Sequence, residues 1–181
     1  FDREQYTWKA SSSQLLRKKQ LFWGSNLFHF GILFLLLGHT VGLLTPTSIY
    51  TLFITVQQKQ MIAVTAGGIA GTICFIGLTI LLARRLFNPR IRATSSGRDN
   101  MILVLLYAQL ILGMASIFVS AGHLDGEQMV RLGQWAQHIV TFRPGAADYI
   151  ADAHWIYKAH VFLGMVLILI VPFTRLVHVW S

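Results

Sequence analysis

Four of the seven histidines in this 181-residue sequence lie within or at the ends of long apolar segments: His29, His39, His160 and His178. An ionisable side chain inside an apolar segment is energetically expensive, and it marks a functional site by default. His123 and His138 lie in a more polar stretch, where a surface position is expected, and His154 lies at the mouth of the last apolar segment, where an interfacial position is expected. The four histidines of the apolar segments are therefore the candidates for chemistry.

The spacing of these four histidines suits two opposed helices. His160 and His178 are 18 residues apart, or five helical turns, which puts them on one face. His29 and His39 are 10 residues apart and diverge by roughly 80° around a helix. If the two segments run antiparallel, His29 meets His178 and His39 meets His160. The two rises are roughly 15 and 27 Å, so helix tilt and a kink at Pro172 must absorb the difference.

A facing pair of imidazoles is what the iron of a haem requires on its two axial sides. With both positions filled, such a haem carries electrons and leaves no open site for oxygen. Cys74 is the single cysteine, so no Cys-x-x-Cys-His attachment motif exists and the haem would be non-covalent, hence b-type. Cys74 itself is expected to be a small packing residue. Zinc is the weaker alternative, because it needs four ligands in one shell, and ligands spread over roughly 15 Å of helix cannot share one ion.

Glycines accompany these histidines. Three of them line the first apolar segment and one follows His160: Gly31, Gly38, Gly42 and Gly164. A glycine lets a macrocycle approach the backbone without a Cβ atom in the way. Small residues at four-residue spacing also serve helix–helix packing in membranes. The sequence leaves both interpretations open.

The elements that must position these residues are membrane-spanning helices. Hydrophobic residues make up 54% of the chain and charged residues only 12%, about half of the roughly 25% in a soluble domain. Charge-free runs of 39, 24, 25 and 16 residues predict spans at about 21–45, 58–83, 100–121 and 153–178, each near the roughly 20 residues that cross a bilayer. Lys59, Lys158 and Arg175 fall near the ends of these spans, where long basic side chains can reach the interface. A soluble bundle would need polar stripes with the helical period, which these runs lack. The predicted fold class is therefore all-α, a transmembrane helical bundle with four spans in this chain.

The net charge of +8 is distributed unevenly between the two sides of the predicted bundle. Residues 1–20 and 84–99, with Arg175, carry eleven of the 15 Lys and Arg. The outer loops 46–57 and 122–152, with the adjoining span ends, carry four. Because cytoplasmic segments are enriched in Lys and Arg, the basic balance indicates topology, and no nucleic-acid partner is expected. The segment Gln128–Val140 is predicted to be an amphipathic helix on the outer surface.

Six stretches of the sequence form a specific combination: QYTWKASSSQLL, SNLFHFGILFLLLGHTVGLLTP, KQMIAVTAGG, RRLFNPRIRATSSG, WAQHIVTF and AHVFLGMVLILIVPFTRLVHVWS. In this order they closely resemble the gamma subunit of respiratory nitrate reductase, a family of dihaem cytochromes b. The resemblance spans essentially the whole chain. That family has five spans, so we expect that the first span and a C-terminal tail are missing from this sequence, which begins at Phe1.

The resemblance implies two b-type haems. His29 and His178 would bind the iron of the proximal haem on the cytoplasmic side, and His39 and His160 the iron of the distal, outer haem. It also implies that menaquinol or ubiquinol is oxidised near the distal haem. Lys59 matches a lysine of that quinol site, and Gly38, next to His39, matches a glycine of the same pocket. Lys59 could instead be an ordinary interfacial anchor.

The resemblance further implies a multi-pass protein of the prokaryotic cytoplasmic (inner) membrane, surrounded by lipid. Its partners would be an iron–sulfur subunit and a molybdenum-containing catalytic subunit on the cytoplasmic face, where nitrate is reduced. Arginines on that side could pair with haem propionates or dock partners: Arg84, Arg85, Arg90, Arg92, Arg98 and Arg175. One alternative is a sister cytochrome b that feeds a heterodisulfide- or sulfite-type reductase. Another is a non-redox anchor or transporter, although transporters tend to show repeats and broken helices.

Overall fold

The computed structural model describes residues 18–89 and 97–170, and in these ranges the chain is built of helices. There are seven: α1 (Lys18–Leu44), α2 (Thr47–Tyr50), α3 (Val56–Phe87), α4 (Gly97–Ala121), α5 (Glu127–Val140), α6 (Ala146–Ile150) and α7 (Trp155–Ile170). Four residues with predicted roles lie outside the described ranges: Arg90, Arg92, Arg175 and His178. Pro172, the predicted kink, lies outside them as well.

Three of these helices are long and apolar enough to cross a membrane, within residues 19–44, 56–87 and 100–121. The fourth apolar helix, α7, covers 16 residues up to the end of the described range. Large apolar side chains on α1, such as Phe30 and Leu37, are more than half exposed. A lipid-facing surface accounts for this exposure, because a bilayer takes the place of a protein core there. The predicted fold class, a transmembrane helical bundle, is confirmed.

Helices α1 and α3 form a tight antiparallel pair around residues 24–31 of α1, in the half of the bundle predicted to be inner, where glycines allow the two backbones to meet. A Cβ atom on Gly31 would lie 2.7 Å from the backbone nitrogen of Cys74, and one on Gly77 would clash with the backbone nitrogen of Phe28. Cys74 is fully buried in the core of this contact. Its prediction as a packing residue is confirmed.

Helices α4 and α7 form the second closely packed pair. A stripe of small and polar residues on α4, namely Gln109, Gly113 and Ser116, faces α7. Helix α3 joins the two pairs by packing on α4, where Phe75 and Tyr107 stack with their ring centroids 5.3 Å apart. The order of packing across the bundle is therefore α1, α3, α4, α7.

Polar side chains tie the helix ends on the predicted outer side. Gln60, which is only 2% exposed, donates from Nε2 to the carbonyl oxygens of Ser120 and His123 and so joins α3 to the end of α4. The predicted amphipathic helix is present as α5, and it packs on α1 through a hydrogen bond from Gln137 Nε2 to the carbonyl oxygen of Leu43. One tie therefore joins two long helices, α3 and α4, and the other joins α1 to the shorter α5.

Candidate functional site: a histidine pair between two helices

His39 and His160 come together between α1 and α7. His39 lies five residues before the end of α1, and His160 lies five residues after the start of α7. Because both helix ends are on the same side of the bundle, the two residues reach the same depth. Their ring centroids are 6.1 Å apart with an interplanar angle of 43°. The backbones of α1 and α7 themselves make few close approaches in the described part of the chain, so the two rings meet across a gap.

Hydrogen bonds orient both imidazoles. The Nδ1 atom of His39 lies 2.7 Å from the carbonyl oxygen of Leu35, one turn earlier, and Nδ1 of His160 lies 3.2 Å from the carbonyl oxygen of Gln109. A carbonyl oxygen only accepts, so in each case Nδ1 donates and carries the proton. The Nε2 atom of each ring then keeps its lone pair. Metal-binding histidines show this arrangement, in which the second ring nitrogen donates to a carbonyl.

The separation of the two rings fits a single metal atom between them. A metal–imidazole bond is about 2.0–2.1 Å long and the ring centre lies about 1 Å further, so two imidazoles on opposite sides of one ion have centroids about 6 Å apart. The observed 6.1 Å agrees with this value. In the described residues, no group of three or more His, Cys, Asp or Glu side chains is arranged to hold a metal ion. Each ring offers one Nε2 lone pair, so the pair can supply two ligands to one metal atom.

His29 has the same local geometry at the other end of α1. Its Nδ1 lies 2.7 Å from the carbonyl oxygen of Ser25, with the Ser25 hydroxyl at 3.2 Å. The ring lies edge-on to Phe28 on an exposed face of α1, about 15 Å along the helix from His39. Its predicted partner, His178, lies outside the described residues. The structure thus brings together one of the two predicted pairs and presents one member of the other.

The structure separates the two interpretations of the glycines. Gly31 packs against Cys74, and a Cβ on Gly164 would lie 3.1 Å from the side chain of Gln109, so these two serve helix packing. Gly38 and Gly42, by contrast, have no heavy atom beyond their own stretch of helix backbone within 4 Å of the position where a Cβ would be. The backbone of α1 beside His39 is therefore not covered by another helix of the described chain.

Lys59 lies in the first turn of α3, next to the buried Gln60. Its Nζ atom is 3.7 Å from the centroid of the Tyr50 ring. The turn is fixed by a capping box, in which the Thr55 hydroxyl accepts from the backbone N–H of Gln58 and the Gln58 side chain accepts from the backbone N–H of Thr55. The Lys59 ammonium is thus held against an aromatic ring at the end of the bundle that is predicted to be outer.

The remaining histidines have structural contacts. Nδ1 of His138 lies 3.1 Å from the carbonyl oxygen of Pro144, and its ring packs edge-on against Tyr149. Nδ1 of His154 accepts from the backbone N–H of Ile156 at the start of α7. His123 is exposed. None of the three lies in a transmembrane helix.

Two residues that position His160 were not predicted from the sequence. Gln109 supplies the carbonyl oxygen that orients the ring, and Gly113 leaves room for it, since a Cβ there would lie 3.0 Å from Cε1 of His160. The sequence signals the helix face on which both residues lie, although not the role of the Gln109 carbonyl. Gln109, Gly113 and Ser116 follow the helical spacing i, i+4, i+7 in an otherwise apolar span, which marks one face for contact with another helix.

These features define a multi-pass membrane protein with an intramembrane histidine pair, and known proteins give the particular family. The family model described as nitrate reductase gamma subunit matches residues 1–181. The respiratory nitrate reductase 1 gamma chain of Escherichia coli K12 is 48% identical over all of this chain and 80% of its own length. The nitrate reductase gamma chain of Bacillus subtilis is 40% identical over all of this chain and 81% of its own length.

This chain belongs to the nitrate reductase gamma subunit family, and so to the membrane part of an oxidoreductase complex. A more distant relative is the Hdr-like menaquinol oxidoreductase cytochrome b-like subunit of Archaeoglobus profundus. It is 26% identical over 60% of this chain and 31% of its own length. The identification made from the sequence motifs is confirmed.

Proposed function

We propose that this chain is the cytochrome b subunit of a respiratory nitrate reductase. It oxidises menaquinol or ubiquinol near the outer face of a prokaryotic inner membrane and delivers the electrons to an iron–sulfur subunit and a molybdenum subunit on the cytoplasmic face. The observation that carries the proposal is the pair of imidazoles, His39 and His160, whose ring centroids lie 6.1 Å apart between two helices. Membership of the family supports the nature of the complex.

Two haem b groups are the proposed cofactors. His39 and His160 would hold the iron of the outer haem, and His29 with His178 that of the inner haem. The fit rests on the ring separation, on Nδ1–H groups that donate to carbonyls, and on the uncovered backbone at Gly38. A haem with two imidazole ligands supplies one-electron transfer without an open site for oxygen.

The residues of this chain provide the quinol site on the outer side. Oxidation of a quinol to a quinone releases two protons and two electrons. Lys59 offers ammonium N–H groups to a quinol oxygen, and Gly38 leaves the backbone beside His39 open to an aromatic head group. The released protons would pass to water at the Lys59 end of α3, because the ammonium itself donates hydrogen bonds and has no acceptor. The excess of Lys and Arg at the opposite end predicts that this end is the outer one.

The test is the haem content of the intact complex after a change at one histidine. We expect two b-type haems per chain in the wild-type protein and one in His39→Ala or His160→Ala, because each removes one of the two histidines that would hold the outer haem. His138→Ala is the matched control: its Nδ1 also bonds a carbonyl oxygen, but it lies outside the transmembrane helices, so both haems should remain.

The retained inner haem in His39→Ala also shows that the chain has folded. A wild-type protein without b-type absorbance would favour a non-redox anchor or transporter. Two haems retained in both His39→Ala and His160→Ala would refute the outer pair.

The rival proposal is a sister cytochrome b that serves another cytoplasmic reductase. The relatives disfavour it, because gamma chains match the whole chain at 40–48% identity, whereas the Hdr-like subunit matches 60% of it at 26%. Purification of the chain with its native partners decides between them. Molybdenum in the complex supports the nitrate reductase, and an iron–sulfur partner without molybdenum supports the rival.

A further inference from the structure

The ammonium group of Lys59 has an unusual environment for a lysine at a membrane surface. Its Nζ atom lies 3.7 Å from the centroid of the Tyr50 ring, and no carboxylate of the described residues forms an ion pair with it. Lys158, at the same end of the bundle, differs: its Nζ donates to the carbonyl oxygen of Ala151 at 2.6 Å. Lys158 is thus anchored to the backbone, whereas Lys59 rests on an aromatic face and keeps N–H groups that can donate to another molecule.

Tyr50 is held firmly where it meets this ammonium. It closes the one-turn helix α2 and is 8% exposed, while its neighbours Ile49, Leu52 and Phe53 are more than half exposed. Its backbone N–H donates to the carbonyl oxygen of Pro46 at 3.3 Å. The short helix therefore turns this one ring inward and the other large side chains outward.

The register of α1 against α3 gives the depth of this contact. Gly24 meets Leu81 and Gly31 meets Cys74 in the antiparallel pair. Continuing that register places His39 level with residue 66. Lys59 is seven residues, about two helical turns or 10 Å, further outward. A molecule that touches Lys59 can therefore also extend toward the side of His39 nearest the outer surface.

We propose that Tyr50 is a positioning residue for quinol oxidation. Its ring holds the Lys59 ammonium by a cation–π contact, and it thereby directs the remaining N–H groups toward a quinol oxygen. An ammonium has three donors and no acceptor, so one side can rest on the ring while another binds the substrate. This inference rests on the proposed function, in which Lys59 binds quinol.

The test uses the intact complex and a soluble quinol analogue, with kcat and KM measured separately. For Tyr50→Leu we expect KM to rise about three- to tenfold, the range of a partly desolvated cation–π contact. For Tyr50→Phe we expect KM within about twofold of wild type, because the aromatic face is kept. Tyr107→Leu is the matched control: it removes a ring that stacks on Phe75, away from any lysine, and should leave KM unchanged.

A second variant separates the electrostatic contribution of the Tyr50 ring from its contribution to packing. It also tests the inference if Tyr50→Leu does not fold. A phenylalanine with a fluorinated ring at position 50 keeps the volume of Phe but withdraws electron density from its face. We expect this substitution to raise KM about as far as Tyr50→Leu does. If it behaves like Tyr50→Phe, the ring acts only by packing and the inference is wrong.

Lys59→Met distinguishes failure of this inference from failure of the proposed quinol site. If Lys59→Met leaves KM unchanged, Lys59 does not bind quinol and the proposed site is wrong. If Lys59→Met raises KM but Tyr50→Leu does not, only the role of Tyr50 is refuted. In the double variant we expect no rise beyond that of Lys59→Met, because Tyr50 acts through the ammonium. A further rise in the double variant would also overturn the inference.

Discussion

The inner and outer halves of α1 use the same residue type on the same helix face in opposite ways. Four glycines lie within about 40° of one another around the helix: Gly24, Gly31, Gly38 and Gly42. The inner two press against α3, with Cβ positions 2.7–3.0 Å from its atoms, whereas the outer two meet nothing within 4 Å. The inner half is thus a helix–helix contact, and the outer half is an open wall beside His39.

This difference shows that glycines on one face of a membrane helix can serve close helix packing in one half and leave open space in the other. In the inner half, close packing brings dispersion contacts that hold two apolar helices together where the hydrophobic effect is weak. In the outer half, the same lack of a side chain leaves volume for something other than protein. Three changes test this comparison.

The largest effect is expected in the inner contact. In Gly77→Ala the new Cβ would clash with the backbone nitrogen of Phe28 and lie 2.9 Å from the carbonyl oxygen of Gly24. Since backbone atoms cannot rotate away, the helices must separate, and we expect a loss of about 3 kcal/mol in the free energy of unfolding. Unfolding of the purified protein by a denaturing detergent measures it.

Gly68→Ala is the matched control for this change. It lies on the same helix and has no atom within 4 Å of the new Cβ, so it should be neutral or slightly stabilising through helix propensity. Equal stabilities of the two variants would show that the inner contact is not tight.

An intermediate effect is expected at the open wall. Gly38→Val places a side chain where the protein has no atom within 4 Å, so α1 should fold. We expect haem affinity at the outer site to fall about tenfold, equivalent to about 1.4 kcal/mol, because the side chain occupies space beside His39. Titration of the apoprotein with haem measures the affinity.

Leu37→Val, at a neighbouring position that is 61% exposed, is the control and should retain full affinity. Unchanged haem affinity in Gly38→Val would mean that the open wall does not border the bound group.

The smallest effect is expected for the contact that holds the outer half of α1, where α3 does not pack closely against it. Gln137 donates from Nε2 to the carbonyl oxygen of Leu43 at 3.0 Å, in a partly buried contact. Gln137→Met leaves that carbonyl without its partner, and we expect a loss of about 1 kcal/mol. Hydrogen exchange should accelerate in residues 38–44 of α1 but not in 24–31.

Arg131→Ala on the same helix serves as the comparison. It breaks two exposed ion pairs, with Glu127 and Asp152, which should cost less than about 0.5 kcal/mol. Faster exchange along the whole of α1 in Gln137→Met would argue against separate inner and outer halves.

The helices could be predicted from the sequence because a bilayer demands long apolar runs, and charges are absent from them. The intramembrane histidines could be recognised because an ionisable side chain is expensive in such an apolar run. The roles of Gly31 and Gly38 could not be told apart, because they depend on the distance between α1 and α3, which no single segment encodes. Which face of the membrane each end reaches stays a prediction from the distribution of Lys and Arg.

The supporting contacts of the site were harder to predict than its histidines. The oxygen that orients His160 belongs to the backbone of Gln109, and every residue has such an oxygen, so its role leaves no trace in residue type. Tyr50 meets Lys59 only because a one-turn helix folds between α1 and α3. Gly113 is the exception, since its spacing from Gln109 and Ser116 indicated a helix contact.

The tight contact between Gly31 and Cys74 gives α1 the mechanics of a lever. The contact acts as the pivot, and His39 lies about 12 Å further along the helix axis. A change of about 5° in the crossing angle would move His39 by about 1 Å relative to His160. A side chain in the inner half, remote from the proposed quinol site, can therefore set the distance between the His39 and His160 rings.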